Sequence, residues 1–475
     1  MNVLAIDQGT SATKALVIAP GGEVLGEGQA PVSPRATAAG EVVQDPHELL
    51  ASVVEAGRVA LRDAGATIGA VGVGNQGETV LAWDPDTGAP LGDAVSWQDR
   101  RSSAIVDELA AHAERLAELT GLMLDPYFAA PKMSWLARQP DRGGVITTID
   151  SWVTHHLCGA FVTDAATASR TMLLDLDSGE WSDEAYELFG LRHERRPEVV
   201  ANAAVVGETA AFGGRLPVSA LVVDQQAALF AQSCFARGEA KCTYGTGAFI
   251  LANAGARAPR SRSRLAACIA WRLNDALIYC LDGQVYTAGA AVSWLRDLGL
   301  ITDAAELDRR APADPPGEGS PVFVPALAGM GAPHWAPAAR GAWLGLSLAT
   351  RAEDLIGAVV WGIAAQVASL ATAVERDLGQ PLARLRVDGG LSRSARLMQA
   401  QADLLQIPVE RYPSPDATAL GIGALARIGA GDTSSEADAV GAWEPSAVFE
   451  PSIDADQAAE LLGRFEAAAE ALIAI

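Results

Sequence analysis

Apolar positions along the chain follow two periods. Val3 to Ile6 form a short apolar run, closed by the turn-rich Asp7-Gln8-Gly9-Thr10-Ser11 and resumed by Ala15-Leu16-Val17-Ile18. Gly21-Gly22 precedes a third run around Val24. This pattern predicts a three-stranded meander whose first hairpin tip carries an Asp and a Gly-Thr pair. Asp45-Pro46 then predicts a helix to about Asp63, with proline in the first turn, where its missing N–H does no harm. Half a chain later, Ala240 to Asn253 again reads strand, glycine-rich tip and strand. Gly9-Thr10-Ser11-Ala12 and Gly245-Thr246-Gly247-Ala248 occupy equivalent places on the two hairpins, which points to an internal duplication. Helical patterns follow strands in both halves, so two α/β domains facing each other are expected. The break is expected at Arg215-Leu216-Pro217, giving an N-terminal domain of residues 1–217 and a C-terminal domain of 218–475.

One stretch needs separate treatment. Leu355 to Val374 holds no charged residue and is long enough to span a bilayer. Its Ala and Gly content, its Gln366, Ser369 and Thr372, and the acids at both ends predict a buried helix of a large domain instead.

Composition narrows the partners. The chain has 475 residues, with 35 Lys+Arg against 58 Asp+Glu and a net charge of −23. A surface this acidic repels nucleic acid and anionic membranes. The 5 cysteines include no CxxC and are odd in number, as expected of reduced thiols in a cytoplasmic protein. The N-terminal MNVLAIDQG carries no cationic or long apolar leader. Lysine occurs only as Lys14, Lys132 and Lys241, none followed by Ser or Thr, which excludes a Walker A loop.

Two motifs mislead. Gly72-Val73-Gly74-Asn75-Gln76-Gly77 satisfies GxGxxG, but a β-type run from Thr79 follows where a dinucleotide fold needs a helix. His155-His156 has no ligand partner at metal-site spacing and reads as one core and one surface histidine.

The two Gly-Thr tips carry the chemistry. Facing each other across a cleft, they would wrap phosphates in backbone N–H groups and hydroxyls without needing a lysine. Asp7 at the mouth of the first tip is a candidate Mg²⁺ ligand. Asp224, at the end of the strand opening the second half, is a candidate general base for an alcohol.

Nine segments carry a resemblance to the FGGY family of carbohydrate kinases, closest in motifs to its glycerol kinase branch. They are Asp7 to Ser11, Asn75-Gln76-Gly77-Glu78-Thr79, Trp97 to Arg101, Asp125 to Phe128, Ala168-Ser169-Arg170-Thr171-Met172-Leu173, Asp224 to Phe230, Thr243 to Gly247, Gly331 to Trp335 and Arg386 to Gly390. The resemblance implies two duplicated RNase H-like domains of the actin/hexokinase type with a cleft between them. It implies transfer of the ATP γ-phosphate to a hydroxyl of a small polyol or sugar, with Mg²⁺. It implies Asp224 as base, and Asp7 with Asp224 at the metal. Thr10, Ser11, Lys14 and Thr246 would face phosphates, and Gly289, Gly390 and Ser394 would face the ribose and adenine. Gly77, Glu78, Trp97, Tyr127, Asp224, Gln225 and Phe249 would form the substrate pocket. Relatives of this kind often form homodimers or homotetramers. A non-kinase ATP-driven binding protein on the same fold is the distant alternative, and the Glu78/Trp97/Tyr127 pocket speaks against it.

The chain departs from the glycerol kinase pattern at Gly77, where those enzymes carry an arginine that holds substrate hydroxyls. Losing a charged donor from a closed pocket costs about 1.5–3 kcal/mol. Two readings stay open. A four- or five-carbon polyol or ketose, of the erythritol, xylulose or ribulose type, would fill the space. Alternatively, glycerol would bind through another donor, Gln225 or Arg101.

Overall fold

The computed structural model describes residues 1–37, 40–140 and 143–474. Strands β1 (Val3–Gln8), β2 (Ala12–Ile18) and β3 (Val24–Pro31) form the expected antiparallel meander. Helix α1 (Pro46–Ala64) begins after Asp45, whose side chain accepts the His47 N–H, and ends at Gly65 in the left-handed conformation. Strand β4 (Ala70–Asn75) runs parallel to β1, and β5 (Leu216–Val223) runs parallel to β4. The boundary expected at 217 therefore falls inside β5, which lies whole in the first sheet. Pro217 sits near the start of β5 opposite the short edge strand Gly207–Thr209, a position that tolerates proline.

Helix α2 (Asp224–Ala231) follows β5 directly. The second sheet contains β6 (Ala240–Tyr244), β7 (Ala248–Gly255), β8 (Ala266–Leu273) and β9 (Ala276–Val285). Helices α3 (Gly289–Asp297) and α4 (Ala352–Leu378) lead to β10 (Leu385–Asp388), α5 (Ala395–Leu405), β11 (Val409–Arg411) and α6 (Ala417–Gly429). In space the order is β3-β2-β1-β4-β5 in the first sheet and β9-β7-β6-β10-β11 within the second, with β8 outside β9. In both, an antiparallel hairpin is extended by parallel strands, so the duplication read from two tetrapeptides holds at the level of topology.

Two expectations acquire a physical reason here. The apolar segment is part of α4, and 78% of its most apolar window is buried within the protein. The glycines of the GxGxxG run serve packing: Ile422 of α6 lies against Gly72 and Gly74 of β4. The segment after them is the strand Val80–Trp83, in a second, five-stranded layer that borders the pocket. His155 is half-buried and His156 exposed. All five cysteines are free.

Candidate active site

Asp224 occupies the junction where β5 becomes α2, and its carboxylate accepts the Gln225 N–H at 2.7 Å. Burial raises its pKa, while Arg170, the Gln225 hydrogen bond and Lys241 hold it down. Its charge is felt by Asp7 on one side and by Glu78 on the other. Asp7 is pushed up to about 7, first by burial and then by Asp224 and Asp416, with Lys14 opposing. Two further carboxylates thus press on Asp7, and Lys14 only partly offsets them. Lys14 donates to Asp416 at 2.6 Å, binding β2 to the start of α6. Its ammonium is therefore shared with a carboxylate rather than free.

The first tip is closed by Gly9 N–H to Ala12 O at 3.1 Å, with Thr10 half-buried and Ser11 exposed. Gln44 donates to the Thr10 carbonyl at 2.7 Å, and the Trp97 indole N–H donates to the Thr10 hydroxyl at 2.9 Å. The Trp97 ring meets Tyr127 at 5.9 Å and Phe249 at 6.5 Å, both edge-on. Trp97 therefore links the first tip to Phe249, just beyond the second. The second tip leaves Gly245 and Thr246 exposed, and rests on the start of α3. Gly289 N–H bonds the Gly245 carbonyl at 3.0 Å, and a β-carbon at Gly289 would lie 2.5 Å from that oxygen. Only glycine allows this approach. Gly390 is exposed beside this region, whereas Ser394 is buried: its hydroxyl caps α5 and donates to Asp308 at 2.6 Å.

At the substrate end, the charge that Gly77 lacks is present. The Arg170 side chain, 2% exposed, donates from Nε to Glu78, from Nη1 to Asp282 at 2.7 Å and from Nη2 to the Tyr127 hydroxyl at 3.2 Å. A β-carbon at Gly77 would stand 3.1 Å from Val223 Cγ2 and 3.5 Å from Arg170 Nε. The place beside Gly77 is thus filled by a guanidinium from elsewhere in the chain. Its N–H groups are directed at Glu78, Asp282 and Tyr127, so both readings of the Gly77 departure stay open. Of the two alternative donors, Arg101 is locked on Asp99, whereas Lys241 donates to the Gln225 side-chain oxygen at 2.6 Å, which orients that amide and leaves its NH2 group to donate. Glu78 itself has φ 57, in a tight turn closed by Thr79 N–H to Gly77 O at 2.8 Å. A non-glycine residue held there stores strain, and its carboxylate is bonded by Arg170.

Several residues that build the site have no local signal. Lys132, fully buried, donates to the carbonyls of Pro126, Tyr127 and Phe128 at 3.0, 2.6 and 2.7 Å and so fixes the Tyr127 loop. Burial lowers its pKa to about 7. Lys241 joins Gln225 to Thr243, whose hydroxyl donates to Asp388 at 2.6 Å. On β9, Asp282 and Gln284 share one face, and Tyr286 follows the strand directly. Gln284 lies opposite Phe249 in register, and the Tyr286 ring is 6.3 Å from that of Tyr127.

Among the described residues no group of three or more His, Cys, Asp or Glu is arranged to hold a metal unaided. Asp7 and Asp224 offer two carboxylates, the number with which Mg²⁺ is commonly bound together with substrate phosphates.

Comparison with known proteins agrees with this geometry. Residues 2–231 match the N-terminal domain of the FGGY family of carbohydrate kinases, and residues 240–430 match its C-terminal domain. The chain is 41% identical to a glycerol kinase of Aromatoleum aromaticum over 98% of both chains, and 37% identical to glycerol kinase 2 of Thermotoga maritima. A crystal structure of Plasmodium falciparum glycerol kinase with ADP superposes with a TM-score of 0.88 at 29% identity, covering 99% of this chain and 98% of that one. A xylulose kinase from Lactobacillus acidophilus shares the fold, with a TM-score of 0.89 at 20% identity over 99% and 98% of the two chains. The chain belongs to the FGGY family of carbohydrate kinases, phosphotransferases with an alcohol group as acceptor.

Proposed function

We propose that the protein transfers the γ-phosphate of ATP to a terminal hydroxyl of a small neutral polyol, with Asp224 as the general base. The observation that carries this reading is the position of Asp224, electrostatically coupled to Asp7 on the phosphate side and to Glu78 and Arg170 on the substrate side. A carboxylate there reaches the acceptor hydroxyl where the phosphoryl group arrives. Its raised pKa makes it a better base near neutrality.

The remaining residues bind and orient. Thr10, Ser11 and Thr246, with the backbone N–H groups of both tips, supply donors for the phosphates, which compensates for a chain of net charge −23. Gly289 and Gly390 border the nucleotide. Ser394 acts there through the cap of α5, and Lys14 through its link to Asp416. Mg²⁺ bound with ATP would be held by Asp7 and Asp224 and would neutralise phosphate charge. Trp97, Tyr127 and Phe249 present edges and faces to the C–H surface of the polyol, while Glu78, Gln225 and the Arg170 guanidinium address its hydroxyls. Packing of the two halves around this pocket keeps water from the transferring group. The absence of any disulfide among the described residues supports a cytoplasmic setting.

Asp224→Asn tests the assignment. The expected result is a fall in kcat of about 10²–10⁴-fold with ADP affinity retained. Turnover near that of the parent would remove Asp224 from the role.

A further inference from the structure

Two neighbouring side chains of β9 have buried polar atoms without partners, in addition to the single oxygens of Gln76 and Gln226 elsewhere around the site. Asp282 is fully buried and uses Oδ2 for Arg170, while its Oδ1 has no partner. Gln284, also fully buried, has no partner for either Nε2 or Oε1. The two lie on one face of β9, two residues apart, the face on which Asp282 meets Arg170 and Gln284 pairs across the strands with Phe249. Leu281 and Val285, pointing the other way, enter the core beneath α4. Directly after the strand, Tyr286 lies under the Arg100 guanidinium, 5.3 Å from the ring centroid. Arg100 and Asp125 in turn line a cavity of about 860 Å³ that opens to solvent beside Trp335. A buried amide with neither hydrogen bond made is rare in a folded protein; among the described residues only Gln232, at the end of α2, shares this state.

From this pair we infer that Asp282 and Gln284 form a subsite for hydroxyls beyond the third carbon of the acceptor. The substrate is then an open-chain polyol of four or five carbons, not glycerol. This rests on the kinase reading above and specifies its substrate. The chemistry is matched: Asp282 Oδ1 accepts a hydroxyl proton, and the Gln284 amide both donates and accepts, which suits vicinal hydroxyls. The unpartnered Asp282 oxygen is an acceptor, which suits a neutral hydroxyl and repels the carboxylate of the corresponding sugar acid. Gly77 contributes indirectly by leaving Arg170 room to reach both Glu78 and Asp282.

The test is ADP release by the full chain over glycerol, erythritol, threitol, xylitol, ribitol and erythronate, for the parent and for Gln284→Leu. A four- or five-carbon polyol is expected to give kcat/KM at least about 10-fold above glycerol, because a site built to bond a hydroxyl discriminates strongly against its absence. Gln284→Leu is expected to lower that preferred substrate's kcat/KM at least about 10-fold more than glycerol's. Glycerol or erythronate as the best substrate of the parent overturns the inference, as does an equal loss on all substrates in the variant. If the variant does not fold, the parent's ranking alone decides. Absence of turnover with every acceptor would instead defeat the kinase reading itself.

Discussion

The pocket has two walls of different character. On the N-terminal side, Glu78, Tyr127 and Trp97 each have a partner within the protein: Arg170, Arg170 and Thr10. The loop bearing Tyr127 is tied down by Lys132 through three carbonyls. On the C-terminal side, β9 presents a carboxylate oxygen and a whole amide without partners. A wall satisfied by its own bonds supplies shape and a fixed field, whereas an unsatisfied wall is completed by what binds to it. Arg170 joins the two, since its guanidinium reaches Glu78 on one side and Asp282 on the other.

Breaking that junction should have the largest effect. Arg170→Met leaves two carboxylates buried without a counter-charge and is expected to cost about 3–5 kcal/mol of stability by urea unfolding, with loss of measurable turnover. A loss below about 1 kcal/mol would mean that the two walls are not coupled through this residue. Lys132→Met perturbs the N-terminal wall alone. It leaves three buried carbonyls short of a donor, for about 1–3 kcal/mol, and should raise KM for every polyol in proportion. A change in the ratio of long to short substrates would show that the Tyr127 loop also reads chain length.

The smallest expected effect is electrostatic. Asp7 titrates near 7 in the folded chain against an ordinary value of 3.8, so its ionised form is disfavoured by folding. The sign follows from linkage: stability associated with this group is full below the ordinary value and is lost as pH rises through about 7. Asp7→Asn should therefore raise Tm in the nucleotide-free protein by a few degrees at pH 8. The gain should shrink as pH falls below 7, even though the variant is impaired in catalysis. A lower Tm at pH 8 would contradict the burial of Asp7 beside Asp224 and Asp416.

How much of this was legible from the sequence depended on range. The two hairpins, the buried helix at Leu355–Val374 and the failure of the GxGxxG motif all rest on local periodicity, and all appear in the fold. Trp97, Tyr127 and Phe249 were expected at one site and do meet there. Arg170 was visible only as part of a motif, because its partners are 92 and 112 residues away, and no periodicity encodes such a pairing. The domain boundary expected at Pro217 lies within β5, a strand that local sequence does not show reaching back to Leu216. One signal was available and unused. Within β9, Cys280, Asp282 and Gln284 alternate with Leu281, Gly283 and Val285, so a buried strand carries polar groups on one face. Such a pattern marks a strand that borders a ligand rather than a core.

The most direct test of the contrast between the walls is a crystal structure with erythritol or xylitol and a non-hydrolysable ATP analogue. The account predicts the acceptor's terminal hydroxyl at Asp224 and a distal hydroxyl within hydrogen-bond distance of both Asp282 Oδ1 and the Gln284 amide. A polyol bound without contact to β9, or Gln284 turned to a protein partner, would contradict it.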